Sequence, residues 1–305
     1  MIMSHVSDPE TPAGGPPDDG ATLPAADDVP AGLARLWRLG APSRLGRRAV
    51  LDVDQVVGAA IGLADRGGLA GVTLPKVAQE LGVTPMSLYR YVGSKDELLV
   101  LMADQASGPA EAAPGTEGAD AAADVGDDPA WRTALRCWAA DVRGMYLRHP
   151  WLVHLPVQGP PSGPHGLARM DAGLAALRGT DLDWAAKVGV VTLVSGYVRT
   201  ASQLAADLSA ARAGSGLDQA QSEQEYGRAM ARLVRPDRFP EVAALFGSGL
   251  FEQEQPEQIA EEGPDHDFRF GLETVLDGVA VAVERAAGAV RPSRARPGAA
   301  RPGRS

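Results

Sequence analysis

At 305 residues the chain is long enough for two domains and flanking tails, and a hydrophobic content of 45% supplies real cores, which excludes a wholly disordered protein. A formal charge of −10 and a pI near 5.0 exclude indiscriminate coating of nucleic acid, but a selective DNA binder needs only a local positive face. A single cysteine, Cys137, excludes an internal disulfide and fits a reducing cytoplasm, and Met1 to Glu10 shows neither the basic nor the apolar region of a signal peptide.

Residues 1–43 are expected to be a disordered acidic tail, rich in Pro, Gly, Ala and Asp over 1–30. The tail contains one short amphipathic stretch at 31–40, whose Leu33, Leu36 and Trp37 could dock onto the body. Arg44, Arg47 and Arg48 form a basic arm ahead of the first long helix. That helix is expected from about Asp52 to Arg66, with the apolar stripe Val53, Val56, Val57, Ala60, Ile61 and Ala64. Asp52 and Asp54 sit at its positive end, and Gly67 and Gly68 stop it.

Two short helices follow, at about Pro75–Leu81 and Pro85–Tyr91, joined by a tight turn at Gly82. Thr73 and Thr84 stand at N-cap positions, and Pro75 and Pro85 fall in first turns, where a missing N–H costs little. Val77, Ala78, Leu81, Val83, Leu88 and Val92 give each helix one apolar face, to be buried against the other and against a third helix. A pair of this size, bent at a glycine, is a helix-turn-helix, which places its second helix in the DNA major groove. Residues near 44–105 are therefore expected to bind duplex DNA. Ser94 and Glu97 have the spacing of a capping box at the head of the next helix, which continues to Gln105.

Residues 107–126 form a Gly-, Ala- and Pro-rich loop between domains. From Pro129 the helical pattern returns with Trp131, Leu135, Trp138, Val142 and Met145, and ends at His149-Pro150-Trp151. Further helices are expected at Leu167–Leu177, Trp184–Leu208, Leu217–Val234, Glu241–Phe246 and Phe268–Ala287. The stretch Val188–Val198 is too short, and too interrupted by glycine and serine, to span a membrane. Residues 252–266 are acidic and loop-like, and residues 291–305 a disordered basic tail. No strand pattern and no internal repeat is visible. The fold class is all-α: an N-terminal three-helix helix-turn-helix domain over 44–105 and a larger helical domain over 127–290.

The segment Gly71 to Leu99, with its Leu88-Tyr89-Arg90-Tyr91-Val92 core and Lys95, strongly resembles the DNA-binding domain of TetR-family transcriptional regulators. The segments beginning at His149, Leu177, Ser195 and Phe268 resemble, more loosely, the C-terminal domain of the TetR class. The resemblance implies a homodimer on a palindromic operator that represses transcription until a small molecule binds the C-terminal domain. Activation, or response to a protein partner, is the alternative within regulation.

The same resemblance assigns roles. Thr84, Pro85, Met86 and Ser87 would meet base edges, with Pro85 and Met86 restricted to apolar contact with thymine methyls. Tyr89 and Tyr91 would touch phosphates or methyls, unless one of them packs on the first helix. Arg90 would reach a base or phosphate, or solvate the exposed face. Lys95 would grip a phosphate at a helix head, or remain a surface charge. Thr73 and Lys76 are further phosphate candidates. Arg47 and Arg48, with Arg44, would enter the minor groove, or serve as a plain linker. Seven basic and seven acidic residues lie between Arg44 and Gln105, so a positive face must come from arrangement, not from net charge.

For the effector, the candidates are Trp138, Met145, Trp151, His154, Met170 and Tyr197, with core packing as the alternative for each. The dimer interface is expected from Gly189, Val190, Val194, Gly196, Gly271, Val275, Gly278, Val279 and Ala282, the alternative being a monomer core. His149, His154, His165 and His266 show no metal-binding spacing, and no cofactor is expected. Cys137, beside Trp138, is expected to be a small buried hydrophobe and not a nucleophile. No enzymatic motif is present.

Overall fold

The computed structural model of the chain describes residues 23–39, 51–108, 128–157, 159–213, 219–251 and 265–290. Among these it holds eleven α-helices, short 3-10 turns and no strand. Arg44, Arg47, Arg48 and both terminal tails lie outside the described residues.

The N-terminal domain is built on α2 (Val53–Gly67), which buries Val56, Val57, Ala60 and Ala64. Its head is held by a reciprocal box: Asp52 accepts from the Gln55 backbone N–H at 2.8 Å, and the Gln55 side chain accepts from that of Asp52 at 3.0 Å. α3 (Leu74–Glu80), α4 (Pro85–Val92) and α5 (Lys95–Ala106) complete the domain. Their inward residues, among them Val77, Ala78, Leu88, Val92, Leu98, Leu101 and Met102, close over α2 in one core. Gly82 adopts φ +66° between α3 and α4, a left-handed conformation that an L side chain would strain.

The capping box expected at Ser94 forms only by half. Ser94 Oγ accepts from the Glu97 backbone N–H at 3.1 Å, but the Glu97 carboxylate turns away to Arg35 and receives its guanidinium through two nitrogens. A two-nitrogen, charge-assisted contact outcompetes one backbone donor. Arg35 belongs to α1 (Ala31–Leu36), a short helix docked by buried Leu36 and half-buried Leu33. Ala26–Asp28 adds a 3-10 turn within the stretch expected to be tail. Trp37, directly after α1, donates its indole N–H to the Ser162 carbonyl at 2.8 Å, so this segment straps the two domains together.

The C-terminal domain comprises α6 (Ala130–Arg148), a 3-10 segment (Pro150–His154), α7 (Pro164–Ala176), α8 (Trp184–Ala213), α9 (Gln219–Leu233), α10 (Pro240–Gly247) and α11 (Asp265–Val290). α6 packs on α7 and α8, and α11 closes over both α6 and α8. α9 and α10 pack on each other, around Tyr226, Phe246 and Phe251.

α6 and α11 are cross-linked by charge. Arg132 reaches Glu273 and Asp277, each at 2.7 Å, and Arg136 reaches Asp128 at 2.9 Å and Glu273 at 3.0 Å. Hydrogen bonds from Arg136, and then from Arg132, outweigh partial burial and hold the Glu273 carboxyl at about 2. A carboxyl depressed in the folded state stabilises above its unfolded value and loses that contribution as pH falls through its folded one. The wild-type chain should therefore exceed Glu273→Gln in thermal stability at neutral pH, with the gap closing between about pH 5 and pH 2. About 1–2 kcal/mol is at stake once the water-facing part of Glu273 is discounted. A gap independent of pH would show that the network adds no proton-linked stability.

Candidate nucleic-acid interface

α4 is too short to persist alone, so its orientation comes from its seat. Leu88 and Val92 are fully buried beneath it. The 3.6-residue period then turns Pro85, Met86, Tyr89 and Arg90 outward, with Met86 77% and Tyr89 48% exposed. Two large apolar side chains thus stand in water on one eight-residue helix. Thr84 occupies the N-cap position, but its side chain makes no capping bond. Instead the Ser87 hydroxyl donates to the Thr84 carbonyl at 2.6 Å, and the Thr84 hydroxyl has no bond among the described residues. Thr73 does cap α3, accepting from the Lys76 backbone N–H at 3.4 Å.

Tyr91 is half-buried and packs on the core, whereas Tyr89 stands clear of it. Arg90 lies over the Tyr91 ring at 5.6 Å and reaches its hydroxyl at 3.4 Å. Lys76 and Lys95 are exposed, and neither is in an ion pair among the described residues.

The domain is neutral by count, but most of its acids are taken up by other groups. Five of the seven are engaged elsewhere. Asp54 is paired with Arg38, Glu80 with Arg66 and Glu97 with Arg35. Asp65 accepts from the Trp151 indole at 2.7 Å and faces His149 Nδ1 at 2.9 Å. Asp104 accepts from the Gly166 backbone N–H at 3.0 Å and faces His165 Nδ1 at 3.1 Å. Most of these partners lie outside residues 44–105, so a count within the motif cannot see them.

In the C-terminal domain the six effector candidates do not line one described cavity. Trp138 is buried, with its indole donating to the Arg169 carbonyl at 2.9 Å. Trp151 is buried and turned toward Asp65, as above. Met145 lies in the core, Met170 is half-buried and His154 exposed. Tyr197 stacks on Phe268 at 5.6 Å and donates to its carbonyl at 2.7 Å. An open surface groove of about 370 Å³ lies along α11, lined by His266, Arg269, Phe270, Glu273, Thr274 and Asp277.

Two expectations are corrected. Val190, Val194 and Val279, expected at a dimer surface, are buried within the subunit. The outward stripes hold Trp184, Val188, Leu193, Phe270 and Val281, with Gly189, Gly196 and Gly278. Each helix is apolar on more than one side, so periodicity cannot say which side turns inward. Cys137, expected to be buried, is exposed, because one residue along a helix rotates it about 100° from Trp138.

A head of α2 to α5 with an outward α4, joined to a helical body, defines a helix-turn-helix regulator. Residues 56–102 match the family of bacterial regulatory proteins called tetR, and residues 125–283 match the tetracyclin repressor-like C-terminal domain. The chain belongs to the TetR family of DNA-binding transcriptional regulators. It is 33% identical over 266 residues to the HTH-type transcriptional repressor DrrR1 of Streptomyces coeruleorubidus, covering 87% of this chain and 90% of that protein. It shares its fold with ActR of Streptomyces coelicolor. Apo ActR superposes with a TM-score of 0.57 at 24% identity, covering 79% of this chain and all of ActR. ActR bound to actinorhodin superposes with 0.58 at 24% identity, covering 77% and 98%.

Proposed function

We propose that the chain is a cytoplasmic repressor that binds a two-fold symmetric operator as a homodimer and lets go when a small molecule enters its C-terminal domain. The observation that carries this is the outward face of α4, raised on Leu88 and Val92 and carrying no acidic residue of its own. Thr84, Pro85, Met86 and Ser87 meet base edges, with Pro85 and Met86 against thymine methyls. Tyr89, Arg90, Lys95, Lys76 and Thr73 hold phosphates, and the Tyr91 ring supports Arg90. Arg47 and Arg48 enter the adjacent minor groove.

The outward stripes of α8 and α11 pair with those of a second copy, where exposed glycines admit close helix contact. The effector enters the helical body of α6, α7 and α8, for which Trp138, Met145, Trp151, His154, Met170 and Tyr197 stay the candidate contacts only once their present packing opens. Repression is supported by the relative DrrR1, itself a repressor. No catalytic role is proposed.

Gel-shift titration against the DNA upstream of its own gene tests the interface. Lys95→Ala should weaken binding on every sequence and flatten the salt dependence by about one counterion per subunit. Tyr89→Ala should weaken it about tenfold or more with the oligomeric state unchanged in sedimentation. Unaltered binding by both variants would remove α4 and the head of α5 from the contact.

A further inference from the structure

Residues Arg35 to Arg38, at and just past the end of α1, touch both domains in turn. Arg35 holds Glu97, in the first turn of α5, through two nitrogens. Its guanidinium also lies over Gly93, the residue that closes α4: a Cβ added there would come within 3.0 Å of Arg35 Nη2. Buried Leu36 anchors the segment in the core. Trp37 then crosses to the body, where its indole N–H meets the Ser162 carbonyl just ahead of α7. Arg38 returns to the head and reaches Asp54 in the first turn of α2, at 2.9 Å, and Gln105 near the end of α5, at 3.5 Å.

Further ties between head and body run from Asp65, at the end of α2, to Trp151, and from Asp104 and Ser107, at the end of α5, to α7. None of these touches the corner between α4 and α5, where the recognition helix is set down. The segment 35–37 does, and it joins that corner to the body by a route separate from α5 itself. A domain held along one helix can still turn about the axis of that helix, and a tie placed off the axis opposes the turn.

Resting on the reading of the chain as a homodimer on a two-fold operator, we propose that Trp37, with Arg35, is a positioning residue for DNA recognition. The tie from Ser162 to the α4–α5 corner fixes how far apart, and at what relative turn, the two recognition helices of a dimer stand. It governs the spacing of the operator and not the choice of bases, since neither side chain belongs to α4. One base pair added between two half-sites moves them apart by about 3.4 Å and turns one against the other by about 35°. A head free to swing follows that change, and a tied head resists it.

The test uses the full chain in gel-shift titration against the two-fold site upstream of its own gene, and against copies of that site with one base pair inserted or removed at the centre. Wild type should bind the natural spacing about tenfold or more tightly than either altered one. Trp37→Phe keeps a ring against the core and removes the N–H, and should bring the three within about threefold of one another. Arg35→Gln weakens the tie at its other end and should narrow the spread likewise. Arg35→Lys, which keeps the charge beside Glu97, should restore part of it. A purely structural role would lower the melting temperature and leave the ratio between spacings as it was. That ratio unchanged in Trp37→Phe, or in Arg35→Gln should the first variant not fold, overturns the assignment. So does a wild type that binds the three spacings equally. A wild type that binds none of them overturns the DNA-binding reading, and the assignment with it.

Discussion

Leu88→Ala is expected to destabilise the N-terminal domain by about 2–5 kcal/mol and to abolish duplex binding. Leu88 is fully buried, in one core with Val56, Val57, Val77 and Val92. An eight-residue helix has no stability of its own, so this side chain and Val92 hold α4 against α2 and α3. Truncation leaves a cavity where the recognition helix should be held, and the exposed residues lose their common orientation. Thermal unfolding followed by circular dichroism should show an early transition for this domain, with the later one for the α6–α11 body retained. Met86→Ala is the control. At 77% exposure it should leave stability within about 0.5 kcal/mol of wild type, so any loss of DNA binding reports contact, not folding. Wild-type stability in Leu88→Ala would mean that α4 is not seated through this residue.

Trp138→Ala should cost about 3–5 kcal/mol in the C-terminal domain. The indole lies flat against α7 at Gly173, where an added Cβ would come within 2.9 Å of the ring, and its N–H is satisfied by the Arg169 carbonyl. Removing it takes away the α6–α7 contact and leaves a backbone carbonyl without its donor. Trp138→Phe should keep much of the packing and lose about 1 kcal/mol with the hydrogen bond. Gly173→Val should be destabilising even with Trp138 in place, because the added Cβ would fall within 2.9 Å of a buried ring. Denaturant midpoints for the three variants give the order directly. A cost below about 1 kcal/mol for Trp138→Ala would show that the ring is dispensable to the core.

Much of the N-terminal domain was legible from local chemistry. Caps at Thr73 and Ser94, the acids at the head of α2, the glycine at 82 and the apolar spacing of Val77 and Leu88 are short-range signals, and the observed helices fall within a residue or two of their expected bounds. Distant partners were not legible. Glu97 leaves its expected capping role for Arg35, 62 residues away, and Asp65 finds Trp151 across the domain boundary.

Helical periodicity reports that a face is apolar and is silent about what covers it. That is why Val194 proved to be core, Phe270 surface and Cys137 exposed. The buried, unmatched Nε of Arg169 was equally hidden, since an orphaned group is defined by three-dimensional neighbours that fail to appear. Helix existence and motif identity are thus written along the chain within a few turns. Charge pairing and the direction each face turns follow from packing, where residues far apart in order compete for the same partner.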